Sequence, residues 1–156
     1  MSLSVGTKAP DFKLFNSEKK EVSLSDFKGK NLIIQFFPAA FTGVCTAQMC
    51  SSRDSLSFYN DLNASVVGVS IDTPFSLAEF KKQNGINFDL LSDFNKELIK
   101  AYDMVIENFA LGMKGVAKRG AVLVDKEGVI QYIEVTPSPG DQVNFDALKD
   151  ALEKLK

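Results

Sequence analysis

The 156-residue chain contains no histidine and no tryptophan, and it has only two cysteines and two arginines. Without histidine the chain has no Ser-His-Asp or Cys-His catalytic pair, no histidine metal ligand and no histidine proton shuttle. Two cysteines alone make a poor metal site, so we expect neither a metal nor a cofactor. A nucleophilic cysteine in this chain would depend on a helix N-terminus, a hydroxyl group or a cation for its activation.

Charge and hydropathy exclude further classes of function. The formal net charge is −2, whereas nucleic acids and anionic membranes favour proteins with a concentrated basic surface. No apolar run is long enough to span a bilayer, and residues 1–8 lack the apolar core of a signal peptide. We therefore expect a cytoplasmic protein that binds neither nucleic acid nor membrane. In a reducing compartment, two cysteines are more often catalytic, redox-sensing or simply buried than joined in a permanent disulfide.

Both cysteines lie in one stretch, residues 36–50, where an apolar strand leads through a Pro/Thr/Gly turn into a predicted helix. Cys45 is placed where the first turn of that helix should begin. The unpaired N–H groups and the positive end of the helix dipole bias such a thiol towards thiolate. Thr42 can place a hydroxyl near the sulfur, and Pro38 stiffens the approach and removes one N–H donor. The pattern indicates a reactive cysteine at position 45.

Hydrophobic periodicity predicts a single α/β domain over residues 1–156, since 45% hydrophobic residues suffice for one full core. Thr73 and Asn144 are predicted helix caps, with Pro74 at a first helical position and Gly85 ending that helix. Residues 103–118 show no clear period and are predicted to be a loop near the site. The predicted strands are 11–15, 21–24, 32–37, 65–71, 88–91, 120–125 and 129–135, and the predicted helices are 45–59, 75–84, 97–102 and a last amphipathic helix carrying Phe145, Leu148, Leu152 and Leu155.

The order of these elements predicts a three-layer domain with a mixed sheet, as in the thioredoxin fold, preceded by an additional N-terminal β-hairpin. Three features then resemble the peroxiredoxins. They are Pro38-x-x-x-Thr42-x-x-Cys45, the isolated Arg119 before the penultimate hairpin, and Phe88-x-Leu90-Leu91-Ser92-Asp93. The resemblance covers nearly the whole chain.

The resemblance implies a thiol-dependent peroxidase that reduces hydrogen peroxide and organic hydroperoxides. Cys45 would attack a peroxide oxygen and become a sulfenic acid, with release of water or an alcohol. The Thr42 hydroxyl, the Val44 and Cys45 N–H groups and the Arg119 guanidinium would hold the thiolate and both peroxide oxygens. Pro38 would shield the sulfur from solvent. None of these roles requires histidine.

Cys50 leaves two variants of this activity open. Its spacing resembles the bacterioferritin-comigratory branch, in which such a cysteine resolves the sulfenic acid as an intramolecular disulfide that a thioredoxin-like or glutaredoxin-like donor reduces. The chain also resembles the alkyl hydroperoxide reductase E type, which works with one essential cysteine. On an intact helix the Cα atoms of Cys45 and Cys50 would lie about 8.6 Å apart, beyond the roughly 7 Å limit for a disulfide. A resolving Cys50 therefore predicts unwinding of the first helical turns, which Gly43 would ease.

Several residues have simpler interpretations. Thr42 could be only a helix cap, Cys50 a packed apolar side chain, and Arg119 a member of a surface ion pair. Arg53 could support Arg119 or pair with a carboxylate such as Asp54. The part played by Gln48 in hydrogen bonding is open.

Other classes of protein also remain. Phe37 and Phe41 are candidates to wall the pocket or to meet a partner subunit, because the resemblance allows a homodimer through loops beside the site. A thiol-disulfide oxidoreductase is disfavoured, since the chain has no Cys-x-x-Cys and no proline just before Gly120. A redox sensor or chaperone-like binding protein that uses the same cysteine is the third class.

Overall fold

The computed structural model describes residues 3–155 and is built around a mixed β-sheet. Its strands form because short β-branched and apolar runs are separated by polar turns. In chain order the strands are β1 Lys13–Asn16, β2 Glu21–Ser23, β3 Asn31–Phe36, β4 Ala64–Ser70, β5 Asp89–Ser92, β6 Val105–Ile106, β7 Val116–Ala117, β8 Gly120–Val124 and β9 Ile130–Val135. The helices are α1 Gly43–Asp54, α2 Leu56–Asp61, α3 Pro74–Asn84, α4 Glu97–Ala101 and α5 Phe145–Glu153.

Seven strands form the main sheet in the order β2-β1-β5-β4-β3-β8-β9. β3, β4 and β5 are parallel, whereas β8 is antiparallel to both β3 and β9. All six residues of the central strand β3 are buried, as expected for a strand that is covered on both faces. Alternate residues such as Ile33 and Ile34 belong to separate hydrophobic clusters on the two faces.

Helices cover both faces of this sheet. Residues of α1, α2, α3 and α5 pack in the cluster that contains Ile33, whereas α4 packs in the cluster that contains Ile34. The three-layer, thioredoxin-like arrangement with a mixed sheet is confirmed. The loop 37–42 joins the carboxyl end of β3 to α1, so the predicted site lies at the carboxyl end of a buried strand.

The predicted helix ends are found where their side chains indicated. The Thr73 hydroxyl accepts a hydrogen bond from the Ser76 N–H, Pro74 is the first residue of α3, and Gly85 ends α3 in the left-handed conformation with φ 59°. Asn144 Oδ1 accepts from the Ala147 N–H and caps α5. These ends orient α3 and α5 on the sheet.

Two details differ from the expectation. The helix predicted over 45–59 is interrupted at Ser55, because a segment rich in serine has weak helix propensity and its hydroxyls compete for backbone groups. The predicted loop 103–118 contains a small antiparallel sheet formed by β6 and β7. The additional N-terminal hairpin is found as predicted, and its strand β1 pairs with β5 and so joins the main sheet.

Candidate active site

Cys45 lies in the first turn of α1, as predicted. Thr42 is the N-cap, with an extended backbone, and the first helical hydrogen bond runs from the Thr46 N–H to the Thr42 carbonyl. The N–H groups of Val44 and Cys45 therefore have no acceptor within the helix. Cys45 is 1% exposed, so its sulfur lies in a largely dry environment at the positive end of a helix.

Arg119 supplies the cation beside this sulfur. It directly precedes β8, the antiparallel neighbour of β3, and it is only 3% exposed. Its Nη1 lies 3.3 Å from Cys45 Sγ and donates to Gln48 Oε1 at 3.0 Å, while its Nε donates to the Pro139 carbonyl at 2.8 Å. The guanidinium is thus fixed from three sides and directed at the thiol.

No carboxylate neutralises Arg119 within residues 3–155. The ion pairs there are Lys13–Glu21, Arg53–Asp54 and Lys81–Glu18. The alternative in which Arg119 belongs to a surface ion pair is therefore wrong. Because a buried cation without a counter-ion is costly, a negative charge that develops beside Arg119 during a reaction would be stabilised.

Gln48 connects this arginine to the central strand. It is fully buried; besides accepting from Arg119, it donates through Nε2 to Gln35 Oε1 at 2.8 Å and to the Phe36 carbonyl at 3.3 Å. Gln35 was not among the predicted site residues. Its signal in the sequence is a single amide side chain inside the otherwise apolar run 32–37. The Arg119 guanidinium is thus linked to β3 by hydrogen bonds through Gln48 and Gln35.

The loop before α1 is held by a residue that the sequence analysis also missed. Asp72, just after β4, accepts the Ala40 N–H at 2.8 Å and the Ser70 hydroxyl at 2.6 Å. The Thr42 hydroxyl donates to the Ala39 carbonyl at 2.7 Å, and its side chain makes no capping hydrogen bond. Thr42 is thus the N-cap by position, while its hydroxyl fixes the loop.

Pro38 and the two phenylalanines occupy different environments around this loop. Pro38 is buried, in agreement with a shielding position. Phe37 is fully buried in the core and does not wall an open pocket. Phe41 is 52% exposed, has a left-handed backbone with φ 68°, and sets its ring edge against Phe80 at 5.3 Å between centroids. Of the two, only Phe41 is exposed at the surface.

Cys50 lies in α1 with Cys45 but contacts different groups. Both cysteines are free thiols, and the half-buried Cys50 places Sγ 3.9 Å from Asn84 Oδ1. Arg53 donates to Asp54 Oδ1 at 2.9 Å and to the Asn84 carbonyl. The alternative in which Arg53 supports Arg119 is therefore wrong, and the pairing with Asp54 is the one found.

Residues 3–155 contain no group of three or more Cys, Asp or Glu side chains arranged to hold a metal ion. Across that same stretch no helix is both long and apolar enough to cross a membrane.

The fold and the site together define a protein of the thioredoxin-like class with one buried thiol beside a guanidinium. Comparisons with known proteins agree with this class. Residues 5–133 match the model of the AhpC/TSA family. The chain is 40% identical over 133 residues to "Putative peroxiredoxin bcp" of Haemophilus influenzae. These residues make up 84% of this chain and 85% of that protein. The chain therefore belongs to the AhpC/TSA family of peroxiredoxins, which are thiol peroxidases.

Two further similarities extend this assignment. The "Thioredoxin-dependent peroxide reductase, mitochondrial" of Rattus norvegicus is 37% identical over 141 residues, which are 84% of this chain and about half, 53%, of that longer protein. A crystal structure of a peroxiredoxin-like protein from Aquifex aeolicus superposes with a TM-score of 0.90 at 25% identity, covering 100% of this chain and 90% of the other. The predicted resemblance to peroxiredoxins is confirmed over nearly the whole chain.

Proposed function

We propose that this peroxiredoxin reduces hydrogen peroxide and organic hydroperoxides with Cys45 as the attacking group. The observation that carries the proposal is the 3.3 Å contact between Arg119 Nη1 and the buried Cys45 Sγ at a helix N-terminus. The thiolate attacks the terminal oxygen, an S–O bond forms and the O–O bond breaks. The leaving oxygen takes a proton and departs as water or an alcohol, while Cys45 becomes a sulfenic acid.

Charge moves from the sulfur to the leaving oxygen during this step, and the proposed site residues stabilise it. Arg119 and the free N–H groups of Val44 and Cys45 are donors that need no rearrangement. In this proposal the Thr42 hydroxyl, one residue outside the helix, contacts the peroxide from the loop side. Pro38 limits the access of water to the sulfur and the sulfenic acid.

Cys50 is the proposed resolving cysteine. Its thiolate attacks the sulfenic sulfur of Cys45, the S–S bond forms, and the hydroxyl group leaves as water after taking a proton. Because both residues belong to the continuous helix Gly43–Asp54, this step requires the first turns of α1 to unwind. A dithiol of the thioredoxin or glutaredoxin type then reduces the disulfide. The name of the rat relative, a thioredoxin-dependent reductase, supports a thioredoxin-like donor.

The proposed location of the enzyme is the cytoplasm. Two free cysteines fit the reducing cytoplasm. The homodimer allowed by the family resemblance has an exposed aromatic side chain available beside the site, since Phe41 is 52% exposed.

The test is an intact-mass measurement of the reduced protein after one equivalent of peroxide, without added thiol. A loss of about two mass units identifies an intramolecular disulfide, and a gain of about sixteen identifies a persistent sulfenic acid and a one-cysteine cycle. Cys50→Ser is the matched control and should stop at the gain of about sixteen units, whereas Cys45→Ser should not react. An unchanged wild-type mass after seconds would refute the peroxidase.

A further inference from the structure

A polar cluster surrounds Cys50 at the far end of α1 from the reactive thiol. Asn84, the last residue of α3, places Oδ1 3.9 Å from Cys50 Sγ and donates through Nδ2 to the Phe80 carbonyl at 3.0 Å. Arg53 donates through Nη1 to the backbone carbonyl of the same Asn84. One residue of α3 is thus joined both to the thiol and to the next turn of α1.

This contact places the Arg53 cation at the C-terminal end of α3. The last carbonyls of a helix have no partner within it and carry the negative end of the dipole. Arg53, in the last turn of α1, donates a hydrogen bond from its charged guanidinium to one of these carbonyls, that of Asn84 at the end of α3. The last turn of α1 is therefore anchored to α3 by a charge-assisted hydrogen bond.

The first turn of α1 has no comparable anchor among its surface side chains. The Thr42 and Thr46 hydroxyls bond to carbonyls of the loop and the helix itself, and Gly43 has no side chain. Gln142 Nε2 donates a long hydrogen bond, 3.3 Å, to the Val44 carbonyl. Beyond the burial of Cys45 and its contact with Arg119, little prevents this turn from opening.

Arg53 also provides a positive charge near Cys50. The two residues are three positions apart and so share a helix face. The hydrogen bond to Asp54 raises the pKa of Arg53. Reduced hydration lowers that pKa, and a negative charge on Cys50 would raise it. An attacking Cys50 thiolate would be stabilised by the same cation that anchors its helical turn.

We propose that Arg53 and Asn84 form a clamp that holds Cys50 in place on α3, so that Cys45 is the cysteine that moves when α1 unwinds. This inference rests on the proposed resolving role of Cys50. The clamp limits unwinding to the turns before Cys50 and presents a stationary nucleophile to the arriving sulfenic acid. Arg53 acts through Cys50 and does not touch the peroxide, which makes it a positioning residue.

The test separates the two chemical steps in one time course. Reduced protein is mixed with one equivalent of peroxide, quenched at intervals and weighed intact, which gives the rate of sulfenic acid formation and the rate of its conversion to disulfide. In Arg53→Gln the conversion should be about tenfold slower, while the first step changes by less than about twofold. Arg53→Lys keeps the cation and should restore conversion to within about threefold of the wild type. Lys82→Gln, which removes another cation near the end of α3, is the matched control and should change neither rate.

Hydrogen exchange of the disulfide form provides a second readout. With the clamp in place the turn 50–54 stays helical, so the amides of 54 and 55, whose acceptors are the carbonyls of 50 and 51, should stay protected while those of 43–49 exchange quickly. In Arg53→Gln, protection should also be lost at 54 and 55. Conversion at the wild-type rate in Arg53→Gln, or equal loss of protection along all of α1 in the wild type, would overturn the clamp. A wild-type protein that never loses two mass units would instead refute the resolving role of Cys50, so the two failures are distinguishable.

Discussion

Replacing Arg119 with glutamine should slow the reaction of Cys45 with peroxide by about 10- to 150-fold. Nη1 of Arg119 lies 3.3 Å from Cys45 Sγ, and both residues are at most 3% exposed, so water cannot replace the lost contact. A hydrogen bond to a charged group contributes roughly 1.5–3 kcal/mol. Since about 1.4 kcal/mol corresponds to a tenfold change in rate, the expected range follows directly.

The assay is the rate of sulfenic acid formation in the Cys50→Ser background, followed by quenching and intact mass. Arg119→Lys is the matched control because it keeps the charge, but one ammonium group cannot bond to Pro139, Gln48 and Cys45 together. Its rate should fall between those of the other two proteins. A rate within about twofold of the wild type in Arg119→Gln, with thermal unfolding showing an intact fold, would refute the role of the guanidinium.

Two further predictions concern stability. Gly120→Ala places Cβ against the backbone carbonyl of Glu134 in the paired strand and should lower the free energy of unfolding by about 3 kcal/mol. The added Cβ of Gly68→Ala meets side-chain atoms at 2.7 and 2.8 Å, which can shift more easily than backbone, so the free energy of unfolding should fall by only about 1–2 kcal/mol. Denaturant unfolding measures both, and equal losses would contradict this account. Burial raises the pKa of all three tyrosines, that of Tyr59 to about 12. Stability is therefore fully present below about pH 10, the ordinary tyrosine value, and is lost as pH rises towards 12. In this tryptophan-free chain tyrosinate absorbance should appear together with alkaline unfolding, and its appearance near pH 10 in folded protein would disprove the burial.

The fold could be predicted from local patterns because its central elements are strongly marked. The run 32–37 is almost continuously apolar, which is typical of a strand buried on both faces. The caps Thr73 and Asn144 and the terminator Gly85 define helix ends through hydrogen bonds made within a few residues. Features that depend only on near neighbours in the chain were therefore found where they were expected.

What escaped prediction depends on partners that are distant in sequence. β6 and β7 have two residues each and are held by pairing across an intervening loop, so neither carries a periodic signal of its own. Asp72 carries no local signal for its role, because its carboxylate accepts the N–H of Ala40, which follows the neighbouring parallel strand β3. Asn84 appeared to be only the last residue of a helix, because its contacts with Cys50 and Arg53 require α1 and α3 to be packed together.

The proposed mechanism requires the same helix to serve both as a rigid site and as a moving part. The first step benefits from a Cys45 sulfur that is 1% exposed and fixed against Arg119, because donors already in place stabilise the developing charge without rearrangement. The proposed second step needs that sulfur to leave Arg119 and reach Cys50, whose Sγ instead lies near Asn84. No single conformation of α1 provides both arrangements. An enzyme of this design gains speed in the first step from contacts that must break in the second, so stabilising the first turn of α1 should favour over-oxidation of Cys45 at the expense of disulfide formation.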